Sequence, residues 1–313
     1  MNFWRAFFGY VCIENDLSYG PRCPSAMALG SVCLRWRQLT IECPELWSNM
    51  TINVSDWGRF GAVQRRTASL VNLYLARSKS HPLDLSMSGS EYLGDSETPL
   101  FSQIAQQSFR WKHVFVTTDT YLFPENYRTW NSLDLPILDT LALSASDPDD
   151  GNECSLRMLT NTPMLRAFYA WELYCLWDQS SGFPLPSART MLHDFQYDGN
   201  VNNFCEILEN CPNIHRLSVW TRGQNSTIVA CPPRTLSELS SLSITLDSSR
   251  EESVEESWPS VLSSLTTPHL TNLVIQRTCG LKKRYSAILC HTVIPRSLEL
   301  LFTSPLSQKH SRD

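Results

Sequence analysis

Chemistry in this sequence would have to come from its histidines, its cysteines or one acidic run. The acidic run, Asp147-Pro-Asp-Asp-Gly151, has the composition of a calcium loop. Its carboxylates fall out of step with the alternating ligand pattern and Pro148 removes a backbone donor, so it reads as a solvated turn. His113, His193 and His215 have no carboxylate or cysteine partner identifiable in the sequence, and each reads as structural. Cys12, Cys23, Cys33 and Cys43 recur about every ten residues. No histidine sits at ligand spacing near them and no Cys-x-x-Cys occurs, so zinc is not expected. The eleven cysteines are odd in number and scattered, which fits a reducing compartment. Cys33 and Cys211 fall at apolar pattern positions and read as small buried hydrophobes. Twelve dispersed glycines form no phosphate-cradling loop, and neither Gly-x-Ser-x-Gly nor His-Glu-x-x-His is present. No catalytic constellation, cofactor or metal is expected. What remains is binding.

The elements that would do the binding start with Val32 to Ile52. Val32, Cys33, Trp36 and Leu39 fall on one face of a short helix, with Arg35, Arg37 and Gln38 opposite. Pro44 blocks continuation and biases Cys43 toward an extended backbone. Leu46 and Trp47 follow as apolar anchors, and Met50 and Ile52 alternate with Thr51 and Asn53 as a strand would. Upstream, Phe3, Trp4, Phe7, Phe8 and Val11 share a helical face, and Asn15 to Pro24 reads as a loop. Downstream, Trp57 to Ser78 is predicted helical, with Phe60, Val63, Leu70, Leu73 and Tyr74 on its apolar side. Pro82 then opens a strand through Leu83, Leu85 and Met87.

From there a repeat of the form apolar-x-x-apolar-x-apolar runs through the chain. It begins at Trp111, Leu138, Leu165, Ile214, Leu239 and Leu270, with one further unit needed between 165 and 214. Leu192 to Tyr197 keeps the 27-residue step and puts aromatics inward; a frame on Pro186 would bury His193. Prolines 136, 163, 212 and 268 hold one offset before their strands, each expected to end a helix. Helical patterns fill the gaps at Leu100–Ser108, Ser155–Asn161, Val201–Asn210 and Trp258–Leu265. Strand, loop and helix at 22 to 31 residues match the leucine-rich-repeat unit. Such units bury their apolar faces only by stacking. Alternation then puts His113, Phe115, Thr117, Thr140, Ala142, Ser144, Ala167, Tyr169, Trp171, Asp194, Gln196, Asp198, Arg216, Ser218 and Trp220 on the outward, concave face. Phe115, Tyr169, Trp171 and Trp220, with Arg216, are the candidate substrate-binding residues, because large aromatics and arginine dominate binding hot spots.

Val-Cys-x-x-Trp-Arg-x-Leu followed by Pro-x-Leu-Trp, ahead of this repeat, resembles the F-box of fungal, basidiomycete-type F-box/leucine-rich-repeat proteins. The likeness covers about residues 5 to 275. It implies an α/β fold: a solenoid of parallel strands with helices on its convex side, preceded by a short helical unit. The expected boundaries are 1–54 for the F-box-like unit, 55–280 for the solenoid and 281–313 for an irregular tail. It further implies a non-catalytic substrate receptor of a cullin–RING ubiquitin ligase, docking a Skp-type adaptor and an unknown protein substrate. Carried over by position, Val32, Cys33, Trp36, Leu39, Pro44, Leu46 and Trp47 are the matching F-box residues. Phe7 and Phe8 stand where the family has an Ile-Phe pair. The family's Leu-Pro start is absent here, so the alternative is a solenoid interaction module that does not recruit a ligase.

Bulk properties agree with a soluble interaction protein. At 313 residues, 42% hydrophobic and 18% charged, the chain can bury a large core. A net charge of −5 and a pI near 5.8 argue against nucleic acid as a partner. Arg65-Arg66, Lys282-Lys283-Arg284 and the acidic run 250–256 read as solvated surface. No eighteen-residue apolar run occurs, so no membrane span is expected. Ala6 to Ile13 lacks the flanks of a signal peptide. The sequons at Asn49, Asn53 and Asn225 are then irrelevant and the expected location is cytoplasmic or nuclear.

Overall fold

The computed structural model describes residues 2–12, 15–18, 23–53, 61–89, 98–118, 133–145, 159, 161–171, 192–198, 207–222, 233–247 and 262–278. The chain divides into two compact units, Met1–Met191 and Leu192–Asp313. Each contains a stack of parallel strands of the kind a solenoid winds.

The first unit opens with three helices, α1 (Asn2–Val11), α2 (Ser25–Val32) and α3 (Leu34–Glu42), and a 3-10 turn at Pro44–Trp47. The helix expected across Val32–Leu39 is two helices. Cys33 between them is extended, at φ −159° and ψ 168°, so Val32 and Cys33 do not share a face with Trp36. The break permits a tight crossing: a Cβ on Gly30 would stand 3.2 Å from the Thr40 hydroxyl. Arg37 Nε then donates to the Gly30 carbonyl at 3.1 Å, filling an acceptor that the end of α2 leaves open. Pro44 ends α3 as expected. Leu46, Trp47, Met50 and Ile52 are buried.

Next come β1 (Asn49–Asn53), α4 (Gly61–Ser78), β2 (Leu83–Gly89), α5 (Thr98–Ala105), a 3-10 turn at Ser108–Arg110, β3 (Trp111–Thr118), β4 (Thr140–Ala145) and β5 (Ala167–Trp171). The strands pair in parallel, β1 to β5 in sequence order. The buried stripe of α4 is Thr67, Val71, Tyr74 and Ser78, not one centred on Leu70 and Leu73, which are half-buried. Polar Thr67 and Ser78 tolerate burial because both are bonded: Thr67 Oγ1 donates to the Leu17 carbonyl at 3.4 Å, and Ser78 Oγ accepts from Arg110 at 2.7 Å.

The second unit holds β6 (Asp194–Asp198), β7 (Arg216–Arg222), β9 (Ser241–Asp247) and β11 (Asn272–Thr278), paired in parallel in that order. Two short strands, β8 (Arg234–Thr235) and β10 (Leu265–Thr266), pair with each other. Leu265, expected at a helix end, lies in β10. The frame on Leu192 holds, with Phe195 opposite Leu217.

Every repeat unit named from the sequence falls at a described strand: Trp111 begins β3, and the first apolar residue of the other six units sits two residues ahead of its strand. Pro212 does follow a helical segment, residues 207–210, as expected, but the role the four prolines share is a different one. Pro136, Pro163, Pro212 and Pro268 each occupy the second position of a turn, closed by Leu138 N to Leu135 O (3.3 Å), Leu165 N to Thr162 O (3.2 Å), Ile214 N to Cys211 O (3.3 Å) and Leu270 N to Thr267 O (3.2 Å). Proline's fixed φ suits that position. At four places a carbonyl just ahead of one strand takes two amides at the start of the next. Asp139 O accepts from Arg166 and Ala167, His193 O from His215 and Arg216, His215 O from Ser240 and Ser241, and Ser240 O from Thr271 and Asn272. Inside, Val114, Val116, Leu141, Leu143, Phe168 and Ala170 fill the first unit's core, and Phe195, Leu217, Val219, Leu242 and Ile244 the second's. The calcium-like run 147–151, the acidic run 250–256, most of the helix expected at 155–161 and the tail 281–313 lie outside the described residues.

Candidate functional site

Two surfaces of the first unit carry groups able to bind a partner. The first is the helical region, and a residue absent from the sequence expectations holds it together. Asn15 is fully buried. Its Nδ2 faces the carbonyls of Cys12, Leu46 and Asn49 at 3.2, 2.9 and 3.2 Å. Its Oδ1 accepts from Ala26 N and Tyr74 Oη, both at 3.1 Å. The Asn15 backbone joins as well, its carbonyl accepting from Thr51 N at 2.9 Å. One side chain thus ties the end of α1, the start of α2, the 3-10 turn, β1 and α4. Burial pushes the Cys12 thiol beside it up to about 11, so Cys12 stays protonated at neutral pH and is no nucleophile.

Around this knot the predicted docking residues separate into three sets. Phe8, Leu46 and Trp47 are buried. Trp47 Nε1 donates to the Thr40 carbonyl at 2.6 Å, its ring meets Tyr74 edge-on at 4.9 Å and the Arg77 guanidinium lies 4.4 Å above it. Trp36, Leu39 and Pro44 are half-buried, and Trp36 contacts Trp4 at 5.5 Å and Phe8 at 5.0 Å. Phe7, Val32 and Cys33 are exposed. Cys33 is therefore not the buried hydrophobe its pattern suggested; it joins two helices instead of facing a core. Cys211 is buried as expected. With Phe3, Tyr10, Leu34 and Ile41, also exposed, Phe7 and Val32 give the three helices a broad apolar surface. Tyr10 is the most exposed of them, at 76%.

The second surface is the outward face of the strands. Register aligns Asp84, His113, Thr140 and Ala167 in one row, and Ser86, Phe115, Ala142 and Tyr169 in the next. Phe115 is 45% exposed and Tyr169 half-buried. Ala142 and Ala167, expected to face solvent, are buried, Ala142 to 2% exposure. A methyl between two rings on flanking strands is shaded by them. Trp171 lies on β5, in register with Ser144. Arg216 and Trp220 lie on β7 of the second unit, opposite Ser241 and Thr245.

The histidines are not the isolated residues they seemed. His113 Nε2 lies 3.9 Å from Asp84 and its Nδ1 3.8 Å from Asp139; Asp139 in turn is bonded to Arg166. Burial alone would raise the Asp139 carboxyl, but the Arg166 hydrogen bond and charge, helped by His113, hold it below its ordinary value. His193 and His215 stack at 4.8 Å, beside a two-point pair in which Arg216 donates to Asp194 at 2.7 and 2.6 Å. Arg216 is thus engaged by its own unit. Parallel register brings these residues together across intervals of 22 to 29 residues, which no local motif displays.

Among the described residues no His, Cys, Asp and Glu group could hold a metal ion, and no helix is long and apolar enough to cross a membrane. No protein-family model, curated protein or solved structure matches this chain.

Proposed function

We propose that this protein is the substrate-recognition subunit of a cullin–RING ubiquitin ligase, built as an F-box-like unit followed by leucine-rich repeats. The α1–α3 surface docks a Skp-type adaptor, and the outward strand face holds a protein substrate. What carries the reading is the placement of exposed apolar side chains. Of the twelve large apolar residues exposed among the described residues, eight fall in α1, α2 and α3. An apolar surface that concentrated is an expected mark of a protein partner. Support from sequence is the pairing of Val32-Cys33-Leu-Arg-Trp36 with Pro44-Glu-Leu-Trp47 ahead of the repeat.

Co-expression with a Skp-type adaptor tests it. The wild-type chain is expected to co-purify with adaptor, and Phe7→Asp with Val32→Asp to lose it while the unfolding midpoint stays within the range of surface changes. A wild-type chain that folds but never captures adaptor overturns ligase recruitment.

A further inference from the structure

We infer that the outward strand face of the first unit captures an extended polypeptide segment carrying an apolar side chain and, two to four residues away, a lysine or arginine. This rests on the substrate-receptor reading and names the class of segment that face would take. The apolar subsite is the row Phe115–Ala142–Tyr169, where a methyl closes the floor between two rings. The cation subsite is Asp84, one strand over on β2 and one row along. Asp84 is 43% exposed, and among the described residues only the His113 imidazole, at 3.9 Å, approaches it as a charge partner. The neighbouring carboxylate differs: Asp139 is 17% exposed and saturated by Arg166. Lys112, exposed on β3, makes no ion pair with either carboxylate. Among the described residues Asp84 is therefore the carboxylate of the His113 pair that no guanidinium or ammonium meets, and a cation complements it.

Geometry sets the spacing. Adjacent strands lie about 4.8 Å apart and same-face residues about 6.7 Å apart along a strand, which puts Asp84 about 8 Å from Phe115 and farther from Tyr169. Same-side residues of an extended peptide repeat at that same ~6.7 Å step, hence the two-to-four-residue separation.

Panning the full-length protein against a random dodecapeptide phage library tests this. The expected result is enrichment of peptides with an aromatic or branched aliphatic residue two to four positions from Lys or Arg. Replacing that cation by Gln in a selected synthetic peptide should weaken binding about tenfold, as for a lost charge partner. Asp84→Lys should turn the selected charge from Lys or Arg to Glu or Asp, and Tyr169→Ala should abolish enrichment, both with an unchanged unfolding midpoint. Enrichment of acidic peptides by the wild type, a selected motif indifferent to Asp84→Lys, or no enrichment at all would each overturn it. Adaptor co-purification is scored on the same preparations. Failed panning with adaptor capture intact removes this inference alone, and the reverse outcome removes ligase recruitment alone.

Discussion

At the scale of single residues, Asn15 and Trp47 carry more of the first unit than their sequence neighbours suggest. Removing the Asn15 amide strands carbonyls and an amide that are buried away from water, each costly to leave unsatisfied. Asn15→Ala is expected to lower unfolding free energy by about 3 kcal/mol or more, read from the denaturant midpoint at unchanged slope. Asn15→Asp keeps the shape but turns an oxygen toward three carbonyls, so it should do no better. Trp47→Ala should cost about 3–5 kcal/mol, as large core truncations do. Half-buried Trp36 should cost less, about 1–2 kcal/mol, and an equal loss at the two would mean Trp36 is as enclosed as Trp47. The Asp139–Arg166 pair gives a pH signature. Because the folded carboxyl is held low, its contribution is present in full above the unfolded value of about 3.9 and is lost as pH falls through the lower folded value. The stability gap between wild type and Arg166→Gln should therefore close below about pH 4; a gap constant through that range would show the pair contributes nothing.

At the scale of elements, the strands were legible and the joints were not. Leu138, Leu165, Leu192, Ile214, Leu239 and Leu270 announce their strands because alternation and spacing are local properties of the chain. Pro136 and its counterparts were placed correctly, yet a proline offset is compatible with both a helix end and the turn position it occupies. Asn15 could not be read at all: it acts on groups 11, 31, 34 and 59 residues away, and Asn15 in a polar stretch looks like any loop residue. The break at Cys33 was hidden for a related reason. A helical apolar pattern runs through it, and the reward for breaking is the tertiary approach of Gly30 to Thr40. His113 misled in the same way, since its carboxylates arrive only through register. One joint invites a direct test. Lys79, just past the end of α4, is left-handed at φ 51°, a conformation that favours glycine. Lys79→Gly should raise stability by about 0.5–1 kcal/mol, and a loss would mean the Lys79 side chain makes a contact worth more than the strain.

At the scale of the molecule, each strand bonds to its immediate neighbours, so destabilisation should stay near its source, as in other one-dimensional stacks. Leu242→Ala, in the core of β9, should speed amide exchange in β7, β9 and β11 while β2 and β3 keep wild-type protection. Uniform loss across the chain would show a cooperativity that near-neighbour bonding does not supply. The doubled amides on Asp139, His193, His215 and Ser240 have a further consequence. β5, β7, β9 and β11 are each indexed at their first residues, before any side chain column begins, so the length of chain ahead of them does not enter the alignment. Within the second unit, repeats of 22, 25 and 31 residues can therefore share one set of columns. A lineage could lengthen or trim the intervals, or exchange whole units, and still present its outward residues in line, leaving the face free to be rewritten letter by letter.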